Sequence, residues 1–508
     1  MAHANRSLWV ETTPETGYPQ LGRQVEVDVV VVGAGITGVT TAWLLKQAGR
    51  RVALIEMHRV GEGTTGYTTA KLTVGHNLIY ADLAKMYGEE TGRAYAASNQ
   101  WAIEWLEELA SAEEINCDWE RASNYVYTEA KERLSDLRNE VEAARRAGVS
   151  AELTTETDLP FPVLGAIRVD GQAQFHPQKF LQGLAEKIVG DGSQVFEQTR
   201  VTHVRSGDAY VVLTDQGEVR ARHVVLATHL PFLDRGLFFA KAHPQKSYAI
   251  ATKVQQAEAP LGMYISAERP TRSIRSAPGP NGSRWLVIGG EGHKPGRDHD
   301  TRRRYNALES FLVDRFGDRE VEHRWSTHDY VPLDRMPYIG QLRRREDRLL
   351  IATGFAKWGL TKGVVAAAIL SDTILGRTNR WARVYNAQRL SLKNSAVRFV
   401  AENAKVGSWF IGDRVYLRDG RGDIDSLQRG DGTVARIGAR HLAVYRNDEG
   451  ELRALSARCT HLGCLVGWNR ADQTWECPCH GSEFGADGEL LQGPATEPLP
   501  SVDLTDTP

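Results

Sequence analysis

Apolar and polar positions follow two rhythms along this chain. Val27-Asp-Val-Val-Val-Val32 is an apolar run of β-branched residues, the composition of a buried strand. After three spaced glycines, Ala42, Leu44, Leu45 and Ala48 recur at helical spacing, and Arg51-Val-Ala-Leu-Ile55 reads as a second strand. Strand, glycine turn, helix and strand open an α/β sheet. Charged helical patterns then occupy Trp101 to Leu109 and Lys131 to Gly148, a strand-rich stretch runs from Ser247 to Tyr338, and Leu349 to Thr353 is a strand leading into an Ala-rich helix. Within residues 378–412, Val397, Val400 and Ala404 recur at helical spacing between Trp381, Tyr385 and the pair Trp409, Phe410. That pattern predicts a linker helix packing a last unit on the rest. No internal repeat is present, and biased composition is confined to the Gly and Asp punctuation of 419–431.

At 508 residues, with 41% hydrophobic and 25% charged, the chain has room for about three domains of ordinary globular composition. The net charge of −2 gives no reason to expect nucleic acid or an anionic membrane as a partner. Arg6, Glu11 and Glu15 interrupt the first twenty residues, so no signal peptide is expected, and no run of eighteen apolar residues offers a transmembrane segment. Four of the five cysteines fall in one motif and Cys117 stands alone, usage that fits a reducing compartment. A soluble, cytoplasmic protein is the expectation.

Two stretches carry chemistry. Gly33-Ala-Gly35-Ile36-Thr-Gly38 follows the first strand directly. The first glycine permits the turn, the second lets backbone approach a pyrophosphate, and the third lets the helix pack on the strand with its N-terminus toward the anion. Glu56 closes the second strand, where a carboxylate can accept from a ribose hydroxyl. Near the other end, Cys459-Thr-His461-Leu-Gly-Cys464 is answered by Cys477-Pro-Cys479-His480-Gly-Ser482. Thiolates Cys459 and Cys477 on one iron and imidazoles His461 and His480 on the other give mixed ligation of a [2Fe-2S] centre. Tetrahedral zinc also takes Cys and His, but zinc-finger arms are spaced differently.

The second stretch resembles the Rieske [2Fe-2S] family from about Val415 to Pro500, including Gly493-Pro494-Ala495, which is similar to the family's proline loop. The resemblance implies an all-β domain, taken here as 413–508, a disulfide between Cys464 and Cys479, and a Ser482 hydrogen bond to a bridging sulfide. Phe484 stands where the respiratory members have tyrosine, implying a lower potential within the Rieske range. Gly61-Glu-Gly-Thr64-Thr65-Gly66-Tyr-Thr68-Thr69-Ala70-Lys71 resembles the segment that wraps FAD in D-amino acid oxidase-like enzymes. Thr199-Arg-Val201-Thr, His223-Val-Val-Leu-Ala227-Thr228 and the stretch from Leu349 through Gly354, Gly359 and Thr361 to Gly363 are similar to that family's later cofactor strands and turn. This second likeness implies a Rossmann-like FAD-binding domain within 1–377, interrupted by an α+β substrate domain at about 86–170 and 247–338. His176 is read as a structural contact at a helix start.

Together the two likenesses imply an FAD-dependent dehydrogenase of an amine or amino acid. Its electrons would pass through the Rieske cluster, by a histidine edge near the surface, to a ferredoxin, cytochrome or quinone-linked carrier. The alternatives are a reductase or monooxygenase-like enzyme fed through the cluster, and an amine oxidase whose cluster is structural or regulatory. No catalytic base is assigned; Lys71, His76, Tyr248, His328, Tyr338, Lys357 and Trp358 are candidates to face the substrate. A second nucleotide turn at Gly290 to Gly296 is disfavoured because Pro295 and the charges after it delay any helix. The neighbours His293, Asp298, His299 and Asp300 cannot easily turn toward one iron. Cys477→Ser is expected to abolish the cluster's electron paramagnetic resonance (EPR) signal while leaving FAD absorbance intact. Gly35→Val is expected to empty the flavin site, seen as loss of the yellow colour.

Overall fold

The computed structural model describes residues 5–298, 300–389, 400–404, 406–407 and 424–503. Its centre is a sheet in the order Tyr338–Gln341, Leu349–Thr353, Glu218–Leu226, Val25–Val32, Val52–Ile55, Gln194–Phe196. All neighbours pair in parallel except the first two strands. Val29, Val30 and Val31 are wholly buried because helices and a β-meander cover both faces, which is why this strand is apolar from Val29 to Val32, whereas Glu26 and Asp28 fall in its partly exposed first half. Helix Ile36–Gln47 and helix Gly359–Ile374 pack on each other against it.

A second sheet of nine strands is mostly antiparallel and draws on four parts of the chain, from Lys71–Leu72 to His323–Pro332. The two charged helical patterns form helices Glu89–Ala112 and Leu134–Arg146. The last unit consists of a three-stranded sheet, Asp431–Ile437 to Leu452–Ser456, and a four-stranded sheet, Gly467–Asn469 to Leu490–Gln492, both antiparallel. Of the linker positions, Val397, Trp409 and Phe410 lie outside the described residues. Trp381 and Tyr385 are buried in the flavin-side core, whereas Val400 is exposed.

The N-terminal arm is packed into the molecule. Trp9 is 1% exposed, donates to the Thr68 carbonyl at 2.6 Å and lies under the Arg275 guanidinium. Asn5 reaches the last unit, donating to the Ala471 carbonyl at 3.0 Å.

The last unit is held on the second sheet by a buried charge knot. Lys246 Nζ lies 2.5 Å from Glu476, 3.0 Å from Asp472 and 3.1 Å from Glu483, all four side chains being 4% exposed or less. Burial alone would lower the lysine pKa, but the three carboxylates raise it well above its ordinary value. Asn469, Tyr305 and Ser326 donate to the same carboxylates. Backbones also touch: a Cβ on Gly467 would lie 2.5 Å from the Gly296 carbonyl oxygen, so only glycine permits this approach. Lys246→Met should cost about 3–5 kcal/mol, because three carboxylates are left buried without their cation. The check is a chemical denaturation curve of the full-length protein.

Candidate functional site

The first strand ends at Gly33, whose φ is +98° and where a Cβ would lie 2.6 Å from the Ala227 carbonyl oxygen. A Cβ on Gly38 would lie 1.8 Å from the Gly33 oxygen, so the helix can begin this close to the strand only with glycine there. The Ile36 N–H donates to Thr65 Oγ1 at 3.1 Å. Glu56 accepts the Ala34 N–H at 2.7 Å and the His58 N–H at 3.0 Å, which fixes its carboxylate beside the turn.

Gly33, Gly35, Ile36, Glu56, Thr64, Thr65, Thr69, Val201, Ala227, Thr228 and Gly359 line one cavity of about 1180 Å³. Backbone amides at a helix start, small hydroxyls and one carboxylate fit a dinucleotide, whose pyrophosphate the glycines would hold and whose ribose Glu56 would accept from. Three expected positions stay off its wall. Gly38 lies in the first turn of the helix and faces the Gly33 carbonyl, Gly354 lies against Pro332, and Thr361 donates to Asn99 Oδ1 at 2.7 Å.

Lys71, His76, Tyr248, Lys357 and Trp358 line the rest of the cavity, with Lys362. Lys71 donates to the Tyr264 carbonyl at 2.7 Å and to the Ser273 hydroxyl, and burial with the Arg275 charge brings its pKa down to about 7. Lys362 donates to the Phe355 carbonyl at 2.9 Å, and burial pulls it to about 7 against the Asp329 carboxylate. Lys357 opens onto the cavity and donates to Ser247 Oγ at 2.7 Å; desolvation by the protein around it, only partly offset by Asp329, pulls it to about 8. Among the described residues none of the three forms an ion pair. His76 stacks on Trp358 at 4.7 Å with its Nδ1 2.5 Å from Tyr95 Oη, and burial keeps its imidazole neutral.

Two expected substrate contacts are not there. His328 is buried against Glu483, 3.4 Å away, and Tyr338 is covered by the Arg389 guanidinium, 3.9 Å from its ring centre. Gly290 continues a strand that runs to His293, so no phosphate turn forms. His293 bonds Tyr248 and Asp298 is held by Arg303 and Arg304, apart from any metal arrangement; His299 lies outside the described residues. His176 caps helix Pro177–Glu186, accepting the Lys179 N–H, a structural contact.

The Cys/His motif folds into two loops closed in the same way. Cys459 N–H donates to the Cys464 carbonyl and Gly463 N–H to the Cys459 carbonyl; Cys477 N–H donates to the Ser482 carbonyl and Gly481 N–H to the Cys477 carbonyl. Gly463 and Gly481 have φ of +76° and +77°, so each loop turns at a glycine. The Cys459 and Cys477 thiols face each other, and the His461 and His480 rings lie 5.0 Å apart. Both Nδ1 atoms are buried without a hydrogen-bond partner, and two thiols with two free imidazole nitrogens fit a [2Fe-2S] cluster. Cys464 and Cys479 form a disulfide with S–S 2.03 Å, which leaves them no thiolate for iron although they lie close to Cys477. Ser482 Oγ accepts the Ala495 N–H at 3.0 Å, and Phe484 is fully buried.

The histidine edge does not face solvent as expected. The side chains of His461 and His480 are about 5% exposed, covered by the flavin unit. Phe239 packs on both rings, and Tyr330 Oη donates to the His480 carbonyl at 2.7 Å. Tyr330 contacts the ring of His229, whose Nε2 donates to Asp329 at 2.9 Å and whose Nδ1 accepts from Gln492 at 2.8 Å and touches Thr64. His229, Asp234, Phe239, Tyr330 and Gln492 went unnoticed in the sequence, because no motif or local spacing marks them.

Residues 28–373 match the family model for FAD dependent oxidoreductase (DAO), and residues 422–503 match that for the Rieske [2Fe-2S] domain. A Bacillus subtilis (strain 168) protein named as a putative Rieske 2Fe-2S iron-sulfur protein, YhfW, is 34% identical over 99% of this chain and 98% of its own length. The gamma-glutamylputrescine oxidoreductase of Escherichia coli (strain K12) is 23% identical over 72% of this chain and 87% of its own. The glycine oxidase structure from Geobacillus kaustophilus superposes with a TM-score of 0.60 at 19% identity, covering 72% of this chain and all of that one, a likeness of fold. Among the described residues no helix is long and apolar enough to cross a membrane. The chain belongs to the DAO family of FAD-dependent oxidoreductases and carries a C-terminal Rieske [2Fe-2S] domain.

Proposed function

We propose that this protein dehydrogenates a carboxylate-bearing amine and relays the electrons through its own cluster to an external one-electron carrier, a ferredoxin, cytochrome or quinone-linked protein. The observation that carries the relay is the unbroken contact from Thr64 and Thr228 in the cavity wall through His229 and Tyr330 to His480. FAD supplies two-electron hydride acceptance and the cluster one-electron transfer, so the pair converts one kind of carrier into the other.

The chain's own residues bind and orient. Lys71 and Lys362 are buried and depressed by desolvation, Lys357 stands open to the cavity, and none of the three has a counter-ion among the described residues, so an entering carboxylate meets donors that no acidic group already occupies. This favours an amino acid over a simple amine; the amine and amino-acid oxidising relatives are in accord. His76, held neutral between Tyr95 and Trp358, adds no competing charge.

Anaerobic stopped-flow absorbance with a panel of amino acids and matched decarboxylated amines tests the reading. The flavin band should bleach first, the cluster should follow, and the amino acids should act at lower concentration. If no amine acts and reduced ferredoxin fills the cluster before the flavin, electrons run the other way and the reading fails. Lys357→Met should raise KM for the carboxylated substrate by about 10- to 100-fold, the loss of one hydrogen bond to a charged group. Lys357 sheds its proton as pH rises through about 8, so carboxylate capture is strong below that pH. KM should therefore climb above it, and a steady-state pH profile checks the direction.

A further inference from the structure

The segment between strand Glu218–Leu226 and strand Ala242–Val254 reaches both cofactor sites. Its first residues, Ala227, Thr228 and His229, line the dinucleotide cavity. A few residues on, Asp234 Oδ1 lies 2.8 Å from His461 Nε2, and the Phe239 ring lies 5.9 Å from His461 and 5.0 Å from His480. His461 Nδ1 is buried and without a partner, so it is the nitrogen free for iron. The proton then sits on Nε2, and that N–H points at the carboxylate. Among the described residues His480 has no carboxylate paired with it; its carbonyl instead accepts from Tyr330.

We propose that Asp234, supplied by the flavin unit, is a positioning residue that lowers the reduction potential of the Rieske cluster through His461. A carboxylate that accepts from the outer nitrogen of a ligand histidine fixes the ring and makes it a stronger donor, which stabilises the oxidised iron. Its negative charge also opposes the electron that would be added. Asp234 is half exposed, so solvent screens the charge but leaves the hydrogen bond in place. Because donor and acceptor belong to different units, the potential is tuned only while the two are docked. The inference rests on the ligand set proposed for the cluster, and the test separates the two.

The experiment is an EPR-monitored redox titration of the full-length holoprotein, wild type beside Asp234→Asn, Asp234→Ala and Asp234→Glu. Asp234→Asn removes the charge, Asp234→Ala removes the hydrogen bond as well, and both should move the cluster midpoint to higher potential, the alanine variant at least as far. Asp234→Glu should restore most of the wild-type value. The amplitude of the cluster signal and the flavin midpoint should not change, since Asp234 touches neither iron nor the dinucleotide cavity. A midpoint that stays put or falls in both the asparagine and alanine variants overturns the role of Asp234. Absence of a Rieske signal in the wild type overturns the ligand set and the proposal with it.

Discussion

One ammonium group holds this architecture closed. Lys246 Nζ lies among three carboxylates contributed by the last unit, with all four groups out of water. With the units docked, all four groups are dry and each carboxylate has the ammonium beside it, so any slip that moved Lys246 without admitting water would leave three like charges crowded and unpaired. The three carboxylates come from the stretch Asp472 to Glu483, which also carries Cys477 and His480. The knot therefore fixes the second cluster loop as well as the unit, and with it the facing of the histidines toward Phe239 and Tyr330.

From that facing follows a division of surfaces. The flavin unit provides the walls of the dinucleotide cavity, yet residues 490–496 of the last unit complete them, and His58 bonds the Leu491 carbonyl at 2.8 Å. The two modules share a wall. His229 holds an unusual place in it, in a left-handed backbone conformation with φ +64° and with both ring nitrogens engaged. Asp329, which anchors its Nε2, is pushed up by burial but held below its ordinary pKa by the bonds from His229, Lys357 and Tyr330.

What could be read from the sequence was whatever is encoded locally. The glycine turn and Glu56 were legible because the turn is written in one contiguous motif, with Gly38 packed on the Gly33 carbonyl, and the two cluster loops because each closes within six residues. Side-chain facing was less legible. Asp329 lines the cavity while its neighbour His328 turns to the cluster loop, and Thr361 points to Asn99 from a helix whose neighbours Leu360 and Lys362 reach the cavity. A one-residue change of facing reverses the reading, and family likeness does not carry that precision. The inward histidine edge was hidden for a different reason. Asp234, Phe239 and Tyr330 lie between 150 and 241 residues from the histidines they meet, and nothing in their local sequence marks them. Trp9 was missed because a short apolar cluster in a polar arm has no period to reveal it.

The covered histidine edge also bears on how the protein matures. In a Rieske unit whose ligands face solvent, iron and sulfide can be delivered at any time to a folded domain. Here the imidazoles lie under Phe239 and Tyr330, and the thiols Cys459 and Cys477 are buried. With the two units docked the site is closed on every side, so loading it with iron and sulfide would require the last unit to part from the flavin unit.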